Sequence, residues 1–147
     1  MPRVQLSLPS AFIFKTEIEV RVSDINYGGH LGNDTLLTLL QEARVRFYRQ
    51  LGFKNEISFE GSIGQIIADA AIQYKAESFL GDILVIQIGV SDFTRVGFDM
   101  NYRVTNKETG KDIAIAKTGI ICFDYSKKKV SSIPQDLLAK LQDNPES

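Results

Sequence analysis

Hydrophobic and polar positions alternate along the first strand-like segment of the chain. Between residues 12 and 21, apolar or small side chains occupy the even positions from Phe12 to Val20, and charged side chains occupy the odd positions from Lys15 to Arg21. A period of two with one charged side is typical of a strand that is buried on one face. The pattern therefore predicts a β-strand over residues 12–21.

The period changes to that of a helix between Asp34 and Leu51. Apolar side chains recur there at intervals of three, four or seven residues, at Leu36, Leu40, Ala43, Phe47 and Leu51. This stripe predicts one amphipathic helix, about 27 Å long if it has about 18 residues. Asn33 or Asp34 is expected to cap its start, because both side chains can accept a hydrogen bond from a free N–H group.

The remainder of the chain is rich in strand-like runs separated by short polar turns. These runs are Gln65 to Lys75, Ile83 to Ser91, Gly97 to Val104 and Lys111 to Tyr125. Short connections favour antiparallel neighbours, and Pro134 is expected to open a short helix over residues 134–141. The prediction is a single α+β domain over residues 1–147, in which a curved antiparallel five-stranded sheet wraps around one long helix.

Composition and charge argue against several classes of function, including nucleic-acid binding and metal binding. The chain has 147 residues and a net charge of −1, so no general basic field favours nucleic acid or an anionic membrane. No segment approaches the roughly 20 apolar residues of a membrane-spanning helix, and we expect a cytoplasmic location. The single cysteine and single histidine give neither an internal disulfide nor a metal-binding constellation.

Candidate chemistry is concentrated between the first strand and the long helix. Asp24, Asn26 and His30 lie in this turn, directly before the expected start of the helix near Asn33. The first N–H groups of a helix have no partner within the helix and lie at the positive end of its dipole. This environment suits a reaction in which negative charge develops on a carbonyl oxygen, which indicates an enzyme acting on acyl groups.

An ordered set of residues extends this indication over most of the chain. The set comprises Asp24, Asn26, Gly29, His30, Asn33, Glu42-Ala43-Arg44, Phe47, Leu51-Gly52, Tyr74, Gly81-Asp82 and Ile133-Pro134. From Phe14 to about Leu141, the chain resembles the 4-hydroxybenzoyl-CoA thioesterase-like branch of the hot-dog thioesterases. The resemblance implies a hot-dog fold and an acyl-CoA thioesterase that needs no cofactor beyond the coenzyme A of its substrate. It also implies a homodimer or a dimer of dimers, with the pocket between the helix start and a neighbouring subunit.

The resemblance also implies roles for individual residues. The backbone N–H of Asn33 occupies the position that polarises the substrate carbonyl. Asn26 stands where the family usually has a carboxylate, and an amide cannot act as a base. Asp24 or His30 is then expected to activate the water, with Asn26 helping to hold it, whereas Glu42 lies about 13 Å further along the helix. Gly29 would allow close approach of the thioester.

A second segment is expected to contact coenzyme A. The turn that contains Arg95, Val96 and Gly97 corresponds to the position where the family touches this part of the substrate. The resemblance leaves open whether the thioester is carried by coenzyme A or by an acyl carrier protein, and it does not identify the acyl group.

Alternatives to thioester hydrolysis remain open from the sequence. Asp24, Asn26 and His30 could all serve only to shape the turn. An R-specific enoyl-CoA hydratase of the same broad fold has the signature Asp-x-Asn-Pro-x-His, which Asp24, Asn26 and His30 resemble apart from one extra residue and a missing proline. The absent carboxylate at Asn26 also fits a non-catalytic acyl-CoA-binding protein.

Overall fold

The computed structural model describes residues 3–142, so both ends of the predicted 1–147 domain lie outside the described residues. The elements in chain order are β1 (Phe14–Glu19), α1 (Asn33–Gln50), β2 (Ile63–Tyr74), β3 (Ile83–Ser91), β4 (Gly97–Asn106), β5 (Asp112–Asp124), β6 (Lys129–Val130) and α2 (Gln135–Gln142). A short 3₁₀ turn over Val22–Asp24 connects β1 to the loop before α1.

The strands form one antiparallel sheet in the spatial order β1-β3-β4-β5-β2. The predicted α+β architecture of an antiparallel sheet with one long helix is confirmed. Beside the five predicted strands, the sheet contains the two-residue β6, which pairs with β5 and which the sequence did not indicate. The predicted C-terminal helix is also confirmed, as α2. No helix among residues 3–142 combines the length and the apolar character needed to cross a bilayer.

Alternating burial explains why α1 lies against this sheet. Ile18 and Val20 are buried, whereas Glu17 and Glu19 are exposed, as the period of two predicts. Leu36, Leu40 and other apolar residues of α1 are buried in the same cluster as side chains from β1, β3, β4 and β5. Removing this apolar surface from water is the main force that holds the helix to the sheet.

The start of α1 differs from the sequence prediction. Neither Asn33 nor Asp34 caps the helix: the N-cap residue is Gly32, with φ −70° and ψ 144°, and no side chain among residues 3–142 caps the helix. Asn33 itself is the first helical residue, so its side chain is not at the position from which a capping hydrogen bond is made. The first N–H groups of α1 therefore stay free of side-chain caps.

A buried polar network, here called the Arg44 network, anchors the middle of α1. It comprises Arg44, Tyr48, Glu56, Gln65, Tyr102 and Thr118. Arg44 Nε donates to Glu56 Oε2 at 2.9 Å, and Arg44 Nη1 donates to the Tyr102 hydroxyl at 3.1 Å. The network ties the helix to β2, β4, β5 and the segment before β2.

Candidate active site

The loop between β1 and α1 is held by its own backbone hydrogen bonds. The N–H of Asn26 donates to the carbonyl of His30 at 2.9 Å, and the N–H of Gly32 donates to the carbonyl of Asp24 at 3.1 Å. Gly29 has φ +79°, a conformation that residues with a Cβ rarely adopt. The loop is thus a closed turn that brings its last residues, His30 to Gly32, to the start of the helix.

Asp24 is directed to Arg21. Its carboxylate is buried and accepts hydrogen bonds from the backbone N–H of Arg21 at 2.9 Å and from its Nε at 3.2 Å. Burial opposes ionisation, but the hydrogen bonds and charge of Arg21 outweigh it and hold the pKa of Asp24 below its usual value. Asp24 is therefore an ionised carboxylate that closes the 3₁₀ turn.

Asn26 forms a local turn. Its Oδ1 accepts the backbone N–H of Gly28 at 2.9 Å, and the residue is exposed. This is the usual contact of an asparagine that mimics a backbone turn. Asn26 and Asp24 are both absent from the lining of the pocket at the helix start.

An open pocket of about 400 Å³ lies at the start of α1. One wall is formed by residues 30–33 together with Leu36, and the other by residues 74–78 together with Ile113. Of the predicted catalytic residues, the structure brings His30 and Asn33 together at this pocket. The opposite wall was not identified from the sequence as part of a site, although Tyr74 belongs to the set that carries the family resemblance.

Contacts between the two walls fix their separation. The N–H of Leu31 donates to the carbonyl of Ser78 at 2.7 Å, and the Tyr74 hydroxyl donates to the carbonyl of Asn33 at 2.9 Å. Burial, and then the charge of Asp34, raise the pKa of Tyr74, so this hydroxyl keeps its proton and remains a donor. The first residue of the helix is thus held against the end of β2.

Asn33 lines this pocket, and its backbone N–H has no capping side chain within residues 3–142. Within residues 3–142, neither the backbone nor a side chain accepts a hydrogen bond from it outside the helix. As the first helical residue, it also has no intrahelical acceptor. The arrangement offers a backbone donor, reinforced by the helix dipole, to an oxygen that carries negative charge.

The turn around Arg95 lies elsewhere. Arg95 Nη1 donates to Ser132 Oγ at 2.8 Å, and the Val96 carbonyl accepts the N–H of Cys122 at 2.8 Å. The position of Gly97 requires a glycine, because the carbonyl oxygen of Ile120 lies so close that a Cβ would collide with it. Within one chain, the structure therefore gives all three residues contacts that support the fold.

The pairing of residues between strands shows how far the Arg95 turn lies from the pocket. Gly97 is paired with Ile121 of β5, which in turn is paired with Ile66 of β2. Tyr74, at the pocket, lies eight residues further along β2, a distance of about 26 Å. A single chain does not bring the Arg95 turn to the pocket, and its contact with substrate stays a prediction.

Two ionisable side chains of the pocket lie close together. His30, whose side chain is about one third exposed, lies 3.8 Å from Glu77, measured between Nε2 and Oε1. Within residues 3–142, no three His, Cys, Asp or Glu side chains converge to hold a metal ion. The described residues supply a backbone donor, an imidazole and a carboxylate beside an apolar cleft.

Comparison with known proteins assigns a family to this arrangement. A model described as "Thioesterase-like superfamily" matches residues 20–141. A 1,4-dihydroxy-2-naphthoyl-CoA hydrolase of Synechococcus elongatus is 26% identical over 125 residues, covering 84% of this chain and 90% of the relative.

Solved structures agree on the fold. A 1,4-dihydroxy-2-naphthoyl-CoA thioesterase from Synechocystis superposes with a TM-score of 0.80 at 22% identity, covering 88% of this chain and 96% of the other. A gentisyl-coenzyme A thioesterase gives a TM-score of 0.77 at 20% identity, covering 87% and 99%.

Proposed function

The chain belongs to the thioesterase-like superfamily and is a thioester-hydrolysing enzyme, and on this premise we propose that it hydrolyses acyl-CoA thioesters in the pocket at the start of α1. The observation that carries the proposal is that Asn33, whose backbone N–H has no capping side chain, lines the same pocket as His30. A thioester carbonyl bound there would place its oxygen against the helix start. The negative charge of the tetrahedral intermediate would then be stabilised by a donor that is already in position.

In this proposal, one residue of the loop before α1 takes part in the reaction, and two others maintain the conformation of the loop. His30 contacts the attacking water, because it is the predicted loop residue whose side chain lines the pocket and because an imidazole can exchange protons near neutral pH. Asp24 and Asn26 keep the loop in shape through Arg21 and through the turn hydrogen bond. The Asp24–His30 pair that an enoyl-CoA hydratase would need has no support in these contacts.

We further propose a homodimer formed through the free edge of β2. This strand is 12 residues long and lies at the end of the sheet. Ile66 and Ile67, near its middle, are 37% and 40% exposed. A long apolar edge strand is a ready template for pairing with another strand. Antiparallel pairing of two β2 strands would bring the partner's Arg95 towards the pocket, where the sequence predicted a contact with coenzyme A.

Release of free thiol from a panel of acyl-CoAs tests the proposed function. The panel contains short, long and aromatic acyl groups, the last because the relatives named above act on aromatic acyl-CoAs. We expect enzyme-dependent thiol release from at least one member. Loss of crotonyl-CoA absorbance without thiol release would instead indicate a hydratase, and thermal stabilisation without turnover would indicate a binding protein. Light scattering on the same sample should give about twice the 16.4 kDa chain mass.

A further inference from the structure

The wall of the pocket opposite α1 supplies a carboxylate that the sequence pattern did not single out. Glu77 lies in the segment after β2, and within residues 3–142 it is the only acidic side chain among those that line the pocket. Its Oε1 is 3.8 Å from Nε2 of His30. A carboxylate and an imidazole therefore face the same space, beside the free N–H of Asn33.

Backbone pairing holds these two side chains next to each other. His30 forms an isolated antiparallel bridge with Phe79, and the next residue, Leu31, donates its N–H to the carbonyl of Ser78 at 2.7 Å. The imidazole also packs edge-on against the Phe79 ring, with 6.3 Å between the ring centroids. Backbone contacts between the loop before α1 and the segment after β2 thus keep Glu77 close to His30.

Two nearby carboxylates, those of Asp24 and Asp82, are engaged in hydrogen bonds, whereas that of Glu77 is available. Asp24 accepts three hydrogen bonds from Arg21, and Asp82 accepts two, from the N–H of Phe79 at 2.9 Å and from the Ser78 hydroxyl at 3.2 Å. Within the described part of the chain, Glu77 accepts no hydrogen bond and contacts only His30 as a charged partner. Its side chain is 65% exposed, so water can reach it from the pocket.

We propose that Glu77 is the general base of the thioesterase, an inference that rests on the proposed function of the pocket. Two atoms 3.8 Å apart can both contact one water molecule at an ordinary hydrogen-bond distance of about 2.8 Å. The water would donate one hydrogen to Glu77 Oε1 and the other to His30 Nε2. Its oxygen lone pair would then be directed at the carbonyl carbon.

Water, Glu77 and the N–H of Asn33 are sufficient for hydrolysis of the thioester. The water oxygen forms a bond to the carbonyl carbon while one of its protons passes to Glu77, and the carbonyl oxygen becomes an oxyanion at the N–H of Asn33. Collapse of this intermediate breaks the carbon–sulfur bond. Glu77 returns the proton to the departing thiolate, and the products are free coenzyme A thiol and a carboxylic acid that ionises into solvent.

Two matched variants test the role of Glu77. Glu77→Gln keeps the size of the side chain and removes its basicity, while Glu60→Gln makes the same change at an exposed residue outside the pocket. We expect Glu77→Gln to lower kcat for acyl-CoA by about 100-fold or more, as loss of a general base does, with KM changed by less than about threefold. Glu60→Gln should behave as wild type.

An NMR measurement tests the contact without relying on activity. His30 is the only histidine of the chain, so its ring signals are unambiguous in tag-free protein. Glu77→Gln should shift these signals, and Glu60→Gln should leave them unchanged.

The outcomes separate this inference from the proposed function. If the wild type releases thiol but Glu77→Gln retains its kcat, Glu77 is not the base, and the thioesterase proposal stands. Unchanged His30 signals in Glu77→Gln would likewise overturn the pairing. If the wild type releases thiol from no acyl-CoA, the proposed function fails, and the role of Glu77 fails with it.

Discussion

The backbone N–H of Asn33 can be deleted while the helix is kept, because Asn33 is the first residue of α1. Proline is favoured at this position, where the missing N–H breaks no helical hydrogen bond. The preceding residue, Gly32, has φ −70° and ψ 144°, which is the region that a residue before proline prefers. The Tyr74 hydroxyl bonds to the carbonyl of Asn33, and proline retains that carbonyl. We therefore predict that Asn33→Pro folds.

The expected effect on catalysis is large compared with the effect on stability. Removing one preorganised oxyanion donor costs about 3–4 kcal/mol of transition-state stabilisation, or about 10²–10³ in kcat. A proline placed where its conformation is already adopted changes the free energy of unfolding by about 1 kcal/mol or less. The variant should accordingly be a stable protein with a strongly reduced turnover number.

Steady-state thiol release, measured on the acyl-CoA that the wild type hydrolyses best, checks this prediction. Asn33→Ala is the matched control, because it removes the same side chain and keeps the N–H. We expect near-wild-type kcat for Asn33→Ala and a loss of about 100-fold or more for Asn33→Pro. A folded Asn33→Pro protein with wild-type kcat would refute the assignment of this N–H as the oxyanion donor.

Three other substitutions probe the scaffold. Arg44→Met should lower the free energy of unfolding by about 3–5 kcal/mol in urea titrations, because it leaves the largely buried Glu56 without its charged partner; a loss below about 1 kcal/mol would contradict the buried ion pair. Hydrogen bonds, of which the one from Ser62 has the largest effect, lower the pKa of Asp124 to about 2. The ionised Asp124 therefore stabilises the folded state above about pH 4, and this stabilisation is lost as the pH falls towards 2. Asp124→Asn should reduce that acid-induced loss of stability in unfolding titrations at different pH values. Asn26→Asp keeps the turn acceptor and should leave kcat within about threefold of wild type, whereas a complete loss would give the amide its own catalytic role.

Much of the fold could be predicted because buried side chains recur along the sequence with the period of a strand or of a helix. The alternation between Phe12 and Arg21 and the helical stripe from Leu36 to Leu51 both report which side faces the core. The cap of α1 could not be identified in the same way, since Asn33 and the residue before it are distinguished only by their backbone angles. A shift of one residue changed Asn33 from an expected cap to the first helical residue.

The site was predictable only where it is local in sequence. His30 and Asn33 lie next to the helix start, so the position of the helix placed both residues at the pocket. Glu77 reaches His30 through a long-range pairing of two loops, which no periodic pattern records. The turn at Asp24 depends on the contact with Arg21, which the sequence did not distinguish from an orientation towards the pocket.

The location of a bound carbonyl group tests the central claim most directly. In a ketone analogue of acyl-CoA, a methylene replaces the sulfur, so the carbonyl remains and hydrolysis is blocked. A crystal structure of the wild-type protein with this analogue should place the carbonyl oxygen within about 3 Å of the backbone nitrogen of Asn33, with the acyl group in the cleft that His30 lines. A well-ordered analogue whose carbonyl oxygen lies away from the start of α1 would contradict the account.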